Sequence, residues 1–219
     1  SADYRAFNIR VQNGNYVFNV ESDAVEIKDI ILPMGGRHNV ENCTAAIAVA
    51  LELGIEKNII KDVVKDFKGV QRRFEFGIRN DHFVYIDDYA HHPEELRALI
   101  GGVKELYPIS EIIVIFQPHL FTRTKDHVDS FAEVLDEANE IIILPIYPAR
   151  ELPIEGVNSE MIQTRMKNTK VSIKSKDDIL KWMEQSKSYL ERKVIVTAGA
   201  GDIDQLVEPI KKLLGSYGG

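Results

Sequence analysis

Cysteine is almost absent from this sequence, since Cys43 is the only one among its 219 residues. A single thiol cannot form an internal disulfide, and it cannot supply the four thiolates of a structural zinc site. Cys43 stands in a helical stretch of small and apolar residues, so we expect a small buried hydrophobic side chain there rather than a nucleophile. The lack of disulfides favours a reducing, cytoplasmic compartment.

Long apolar runs and an excess of positive charge are also missing. The longest runs, such as residues 141–146, have the length of a strand, and the first residues carry no basic-then-apolar signal, so we expect neither membrane insertion nor export. Asp and Glu outnumber Lys and Arg by 34 to 27, with a formal net charge of -7. This balance argues against nucleic acid as the main partner. Nothing in the composition indicates an oligomeric state.

The first 70 residues predict short strands followed by two helices. A turn at Asn13-Gly14-Asn15 separates two strands, and Gly54 suits the carboxyl end of the first helix. The chain opens without Met in a strand already in progress, so we expect a piece of a larger protein. The predicted strands are residues 5–11, 16–20 and 30–32, and the predicted helices are residues 39–54 and 56–67.

Strands and helices alternate with short connections beyond residues 69–76, which predicts a domain of residues 71–219 after a small α+β element of residues 1–70. Most of its strands are continuous apolar runs, as expected for a doubly wound, mostly parallel α/β sheet covered on both faces. The predicted strands are residues 83–87, 111–116, 140–146, 170–173 and 193–197, and the predicted helices are residues 93–106, 125–138, 159–167, 177–190 and 203–214.

Polar, titratable and glycine-rich residues follow several of these strands. Ligands of open α/β sheets bind beyond the carboxyl ends of the strands, so we expect these residues to converge on one site at one edge. The loops concerned are residues 87–95, 117–124, 147–151 and 198–202.

Two carboxylates, Asp87 and Asp88, end the first strand of this domain. One interpretation is solvation at the approach to a helix. The other is a ligand role, in which a carboxylate accepts ribose hydroxyls or orients a histidine. Because successive side chains on a strand diverge, we expect only one of the two to face the site.

Histidine and arginine supply the other candidate groups. His91 and His92 are adjacent and point in different directions, which disfavours a metal site made of histidines. We interpret His91 and His119 as hydrogen-bond donors or as a base near an amine, because histidine titrates close to neutral pH. Arg123 could grip a carboxylate or phosphate, or could be an ordinary surface arginine. Arg73 could likewise reach a phosphate or lie in a solvated hinge.

Two glycine pairs mark tight turns. Gly199 and Gly201 follow the last strand, but Asp204 stands where a dinucleotide fingerprint needs a third small residue, so we expect no NAD site. These glycines permit a tight turn and close backbone approach to a ligand. Gly35 and Gly36 lead into a helix whose amino terminus can accept an anion or hold the edge of a base.

Six short motifs, in the same order along nearly the whole chain, resemble those of the Mur ligase family. One such match would carry little weight, whereas six in order are specific. The motifs are GRHNVEN at 36–42, RRFE at 72–75, DDYAHHP at 87–93, FQPH at 116–119, TRT at 122–124 and GAGDI at 199–203.

The resemblance implies a three-domain ATP-dependent ligase of peptidoglycan precursor synthesis. This chain would hold the end of the central domain and the whole Rossmann-like carboxyl-terminal domain. ATP would phosphorylate the sugar's carboxylate, an amino acid would attack the acyl phosphate, and Mg²⁺, held mainly upstream, would stabilise the charges. The QPH and TRT motifs favour UDP-N-acetylmuramate and L-alanine as substrates over the recycled tripeptide of a near relative. No glycine-rich loop ending in GKS or GKT occurs, so we expect no turnover by this chain alone.

Carried over residue by residue, the resemblance assigns one group of side chains to the nucleotide. It implies that Arg73 approaches phosphate as a catalytic cation, and that the other members border the adenine or contact the nucleoside. The adenine neighbours would be His38, Asn39 and Asn42, and the nucleoside contacts would be Asp88 and Tyr89.

A second group is assigned to L-alanine. The resemblance implies that His91, His119 and Arg123 hold the amino acid, with Arg123 on its carboxylate. We add, from its place at a strand end, that His91 is the base receiving the amine proton. The family usually has Arg where this chain has Leu120, so either another residue compensates or the substrate preference is altered.

Two other classes of function stay open at this point. A metal hydrolase would use Asp88, His91, His92 and His119. A noncatalytic binding domain would fit the absence of the phosphate-binding loop. No residue is assigned to a metal.

Overall fold

A computed structural model describes residues 3–216. The chain forms two compact units, one made of residues 3–74 and 101–108 and the other of residues 75–100 and 109–216. The division after Phe74 lies close to the boundary expected after residue 70. The grouping of residues 101–108 with the first unit was not expected, and the assignment of the units to family domains remains a prediction.

The first unit contains a three-stranded antiparallel sheet of β1 (Arg5–Gln12), β2 (Asn15–Glu21) and β3 (Glu26–Leu32). Asn13 and Gly14 both have positive φ, 51° and 67°, as a two-residue type I′ hairpin requires. This confirms the predicted turn. The third strand is longer than the predicted residues 30–32, because its first half alternates exposed polar residues with the buried Ile27.

Two helices follow, α1 (Arg37–Glu52) and α2 (Lys57–Lys65). Gly54 has φ 76° and donates its N–H to Leu51 O at 2.9 Å, while Ile55 N donates to Ala50 O at 3.0 Å. These are the two hydrogen bonds of a Schellman motif, which confirms the predicted role of Gly54. The helix begins two residues before the predicted residue 39, since Gly36 occupies the N-cap.

The second unit contains a six-stranded sheet in the order β4-β5-β9-β6-β7-β8. Only β4 is antiparallel, and the other pairings are parallel, which confirms the predicted fold class. Residues such as Val114 and Ile115 on β6 are fully buried, because helices cover both faces of such a sheet. The strands are β4 (Glu75–Arg79), β5 (Val84–Asp88), β6 (Ile112–Phe116), β7 (Glu140–Ile143), β8 (Val171–Ile173) and β9 (Val194–Ala198).

Several predicted elements of this unit were wrong in extent. The edge strand β4 was not predicted, because it contains Gly77 and is only partly buried. The strand expected over residues 140–146 ends at Ile143, ahead of Pro145, which cannot donate to a ladder. The helix expected over residues 125–138 begins earlier and breaks at His127, whose φ and ψ are -119° and 17°.

The remaining helices are shorter or more interrupted than predicted. The helix expected over residues 159–167 has a single turn, that over 177–190 divides at Ser186, and that over 203–214 begins as a 3₁₀ turn, Asp202–Leu206. Within the described range, no helix combines the length and apolarity needed to cross a bilayer. The α-helices are α3 (Pro93–Leu106), α4 (Phe121–Asp126), α5 (Val128–Leu135), α6 (Glu160–Gln163), α7 (Lys176–Gln185), α8 (Lys187–Leu190) and α9 (Val207–Gly215).

Polar contacts and a close backbone approach hold the last turns of α3 in the first unit. Tyr16 donates its hydroxyl hydrogen to Glu105 Oε2 at 2.5 Å, and Arg37 Nη2 donates to Glu105 Oε1 at 2.6 Å. Gly102 lies so close that a Cβ there would stand 2.7 Å from the backbone N of Gly36. A side chain at Gly101 would meet nothing within 4 Å.

The different surroundings of these two glycines predict that substitution by alanine changes the free energy of unfolding in opposite directions. Gly101→Ala should raise the free energy of unfolding by about 0.5–1 kcal/mol, because alanine favours the helix. Gly102→Ala should lower it by about 1–3 kcal/mol, since the added methyl group displaces backbone. Urea unfolding of both variants checks this. Equal effects of the two substitutions would contradict the close approach at Gly102.

Candidate active site

The carboxyl ends of four parallel strands lie side by side in the second unit. Asp88 of β5 pairs with Ala198 of β9, Ala198 pairs with Phe116 of β6, and Phe116 pairs with Ile143 of β7. The loops that follow are hydrogen-bonded to one another, with Gly199 N donating to Asp88 O at 3.2 Å. The predicted convergence of polar loops at one edge of the sheet is therefore confirmed.

Asp87 and Asp88 diverge, as predicted. Asp87 is 1% exposed, and its Oδ1 accepts a 2.6 Å hydrogen bond from the hydroxyl of Thr197. The Thr197 hydroxyl also lies 2.8 Å from the hydroxyl of Tyr85. Asp88 is 9% exposed, and its Oδ1 accepts from Ala90 N at 2.7 Å. Asp87 thus ties β5 to β9, whereas Asp88 shapes the loop toward His91.

His91 is held by groups that determine its tautomer. Its Nδ1 lies 3.0 Å from Tyr89 O and 3.2 Å from Glu95 Oε2, and both partners can only accept. We therefore assign the proton of the neutral ring to Nδ1. Glu95 also accepts the N–H groups of His91 and His92, at 2.9 and 3.2 Å. The lone pair of the neutral ring is therefore on Nε2.

His119 has the opposite arrangement. Arg123 Nη1 lies 3.3 Å from its Nδ1, and since a guanidinium only donates, Nδ1 is the acceptor and Nε2 carries the hydrogen. Burial lowers the pKa of His119, and the positive charges of Arg123 and His91 lower it further, while Glu151 opposes them. His119 is thus a neutral donor beside a cation at neutral pH.

Aromatic rings line this part of the edge. The His91 and His119 ring centroids are 5.9 Å apart, and Tyr89 stands edge-on to His91 at 5.3 Å. Tyr147, from the loop after β7, stacks on His119 at 5.6 Å. The structure thus brings four of the predicted residues together, Tyr89, His91, His119 and Arg123.

The predicted adenine neighbours lie in the first unit and do not form one group. Asn39 and Asn42 line a largely apolar cavity of about 360 Å³, and Asn39 Nδ2 donates to Gly35 O at 2.7 Å. His38 is exposed at the start of α1 and does not line that cavity. Arg73 is exposed as well, in a short bridge with Val70.

Cys43 lines the same cavity and corrects one expectation. Its side chain is half-buried rather than fully buried, because one side of α1 at this point faces the cavity. Burial raises the pKa of the Cys43 thiol to about 11. The thiol is protonated at neutral pH, as expected of a side chain that is not a nucleophile.

Comparison with known proteins decides the family. The sequence profile described as "Mur ligase, glutamate ligase domain" matches residues 72–201. This chain belongs to the Mur ligase family. The match includes Arg73, Asp88, His91, His119 and Arg123.

Individual relatives agree with this assignment. The UDP-N-acetylmuramate–L-alanine ligase of Flavobacterium johnsoniae is 44% identical over 213 residues, which cover 97% of this chain and 46% of that protein. The ligase of the same name from Flavobacterium psychrophilum is 45% identical, with 97% and 47% covered. This Mur ligase chain therefore spans about half the length of the curated relatives it matches.

Solved structures share the fold. UDP-N-acetylmuramate-alanine ligase MurC from Thermotoga maritima superposes with a TM-score of 0.77 at 27% identity, covering 99% of this chain and 47% of that one. Folylpolyglutamate synthase from Mycobacterium tuberculosis reaches 0.72 at 15% identity, covering 98% and 48%. The second similarity shows the fold alone.

Leu120, the departure from the usual Mur ligase motif, has an unusual backbone. Its φ of 72° and ψ of 136° are rare for a branched side chain. Leu120 N donates to Tyr147 O at 2.9 Å, and Leu120 O accepts from Thr124 N at 3.1 Å. These two hydrogen bonds hold the turn between His119 and Arg123.

Gln117 and Asp202 together join segments that follow three of the strands of this Mur ligase chain. Its Nε2 donates to Asp202 Oδ1 at 2.7 Å, and its Oε1 accepts from Ile203 N at 2.9 Å. Lys176, the first residue of α7, donates to Asp202 Oδ2 at 2.6 Å. A Cβ on Gly201 would stand 2.5 Å from Gln117 Oε1 and 2.6 Å from Tyr147 Cβ. The close approach at this glycine is therefore to these two side chains, and an approach to a ligand stays a prediction.

Sequence reasoning missed two of these supporting residues. Glu95 could have been found, because an acidic residue three positions after the N-cap His92 is half of a capping box. Lys176 carries no comparable signal, since its partner Asp202 is 26 residues away. Within residues 3–216, no three His, Cys, Asp or Glu side chains are arranged to share a metal ion, so that range supplies no ligand set for the metal hydrolase alternative.

The Asp202 contacts predict an acid-sensitive contribution to stability. Burial opposes ionisation, but hydrogen bonds from Lys176 and Gln117 outweigh it and lower the pKa of Asp202 below its usual 3.8. The contribution is therefore complete above pH 3.8 and is lost as the pH falls through the folded-state pKa.

Asp202→Asn should lower the free energy of unfolding at pH 7 by at most about 1 kcal/mol, since the pair is partly exposed. The difference from wild type should shrink below pH 3.8. Urea unfolding at several pH values checks this, with the exposed Asp204→Asn as the matched control. A difference that stays constant down to the lowest pH would contradict the ionic origin.

Proposed function

We propose that the natural protein carrying this chain is an ATP-dependent ligase that joins L-alanine to UDP-N-acetylmuramate in peptidoglycan precursor synthesis. The observation that carries the proposal is the cluster of His91, His119 and Arg123 at the carboxyl edge of the sheet. Eight relatives of 39–45% identity carry the name of that alanine ligase. A cytoplasmic location, where ATP and nucleotide sugars are made, fits the single cysteine.

Arg123 suits the carboxylate of the amino acid. Its guanidinium is partly buried at the start of α4 and can present two parallel N–H groups to a carboxylate. His119 leaves its Nε2–H as a further donor toward the same ligand, because Arg123 occupies its Nδ1. The pair can thus hold one carboxylate and leave the amine directed away from the cations.

His91 suits the role of base. L-alanine must lose a proton from its ammonium group before the nitrogen attacks the carbonyl carbon of the acyl phosphate, and Nε2 of His91 has the lone pair to take it. As the C–N bond forms, the C–O bond to phosphate breaks and phosphate leaves. Tyr89 O and Glu95 hold the Nδ1–H, which keeps the lone pair on the opposite nitrogen.

The nucleotide is assigned to the remaining candidates. We propose that Asn39 and Asn42, which line a largely apolar cavity, border the adenine together with His38. Arg73 would approach phosphate, and Asp88 and Tyr89 would contact the nucleoside. Mg²⁺ would screen the phosphate charges. Within residues 3–216, no three His, Cys, Asp or Glu side chains are arranged to share this ion, and residues upstream of this chain would mainly hold it.

The decisive experiment measures phosphate release from ATP by the natural gene product that carries this sequence. UDP-N-acetylmuramate is supplied with L-alanine, glycine, L-serine or the recycled tripeptide in parallel. Release that depends on L-alanine supports the proposal. Dependence on the tripeptide points to the recycling relative, and no release with any acceptor leaves a binding domain.

Arg123→Lys tests the carboxylate contact. A lysine keeps the charge but not the two-pronged geometry, so the KM for L-alanine should rise about 10- to 100-fold, the equivalent of one charged hydrogen bond. The KM for ATP should change little. Lys125→Gln, an exposed cation on the same helix, is the matched control. An unchanged KM for L-alanine would remove Arg123 from this role.

A further inference from the structure

Glu151 lies in the loop after β7, next to the residues proposed to hold L-alanine. Both of its carboxylate oxygens accept from Thr122, with Thr122 N donating to Oε2 at 3.1 Å and the Thr122 hydroxyl donating to Oε1 at 2.5 Å. Thr122 directly precedes Arg123 in the first turn of α4. The orientation of Arg123 therefore depends on a carboxylate that is distant in the sequence.

The same loop also holds His119. Tyr147 N donates to Pro118 O at 2.8 Å, Leu120 N donates to Tyr147 O at 2.9 Å, and the Tyr147 ring stacks on His119. The turn between these two anchors contains the strained Leu120, which relaxes unless both sides are held. Tyr147 secures the side with His119, and Glu151 secures the side with Arg123.

Charge adds to this geometry. The side-chain hydrogen bond from Thr122, followed by its backbone N–H, lowers the pKa of Glu151, so the carboxylate is ionised at neutral pH. Its negative charge favours the protonated form of His119, against the effects of burial, Arg123 and His91. Glu151 thus influences both members of the His119–Arg123 pair.

We propose that Glu151 is a positioning residue, which fixes Arg123 and His119 for the amino-acid substrate through the first turn of α4. This inference rests on the proposed function, since it takes Arg123 and His119 as the groups that hold L-alanine. Without Glu151, the N–H and hydroxyl of Thr122 lose their acceptor. The guanidinium of Arg123 then samples positions in which it no longer contacts both the carboxylate of L-alanine and His119 Nδ1.

The first test measures steady-state kinetics of Glu151→Gln and Glu151→Ala in the natural gene product. The KM for L-alanine should rise about five- to tenfold, the low end for a hydrogen bond to a charged group because the contact is partly exposed. The kcat at saturating L-alanine should fall less than about twofold, because the base His91 is untouched. Glu155→Gln, an exposed carboxylate in the same loop, should match wild type.

The second test does not depend on activity. Titration of the His119 imidazole by NMR in the 219-residue chain should show a lower pKa in Glu151→Gln than in wild type, and no change in Glu155→Gln. A merely structural role would leave this titration unmoved. The urea midpoint of each variant separates loss of positioning from loss of folding.

The Thr122 side of the contact gives an internal check. Thr122→Ser keeps the hydroxyl, so the KM for L-alanine should not change. Thr122→Val should raise the KM for L-alanine, but less than Glu151→Ala does. Thr122→Val combined with Glu151→Ala should be no worse than Glu151→Ala alone, because Glu151→Ala already removes the acceptor of the Thr122 hydroxyl.

An unchanged KM for L-alanine and an unchanged His119 titration in Glu151→Gln would overturn the proposal, as would a loss of kcat with no change in KM. Failure of the wild-type protein to release phosphate with L-alanine would instead contradict the proposed function. The NMR titration would still decide whether Glu151 acts on His119.

Discussion

The candidate site of the second unit depends on the parallel register of β5, β9, β6 and β7. Because the four strands end at the same level, the loops that follow them must meet, whatever their individual conformations. Residues as far apart as Asp88, Gln117, Tyr147 and Asp202 become neighbours for this reason. Most side chains of these strands are apolar, so the sheet mainly provides position, while Asp88 at the end of β5 and the loops provide the polar groups.

The conformation of these loops is held by polar contacts between side chains near the strand ends. Gln117 binds Asp202 after β9, Lys176 at the start of α7 also binds Asp202, and Glu151 binds the start of α4. Glycine at position 201 allows the loops to approach within contact distance. Each of these contacts joins segments that follow different strands. We therefore expect the loss of one contact to move side chains that take no direct part in it.

The two histidines at the centre of the site illustrate how identical side chains acquire different roles. A backbone carbonyl and a carboxylate hold Nδ1 of His91 as a donor, whereas a guanidinium makes Nδ1 of His119 an acceptor. The first ring is left with a free lone pair and the second with a free N–H. A base and a donor can therefore stand side by side without exchanging functions.

The sequence by itself determined the features that arise from local interactions. The Asn13-Gly14 turn, the end of α1 at Gly54 and the buried strands of the sheet follow from backbone preferences and apolar runs. The motifs at residues 87–93 and 116–124 also pointed to the loops of the site. Only the tertiary structure decided the break at His127, the edge strand β4, the tautomers of His91 and His119, and the partners of Asp202 and Glu151. Those features are set by contacts between residues far apart in the chain, and a local pattern carries no information about which distant side chain will meet it.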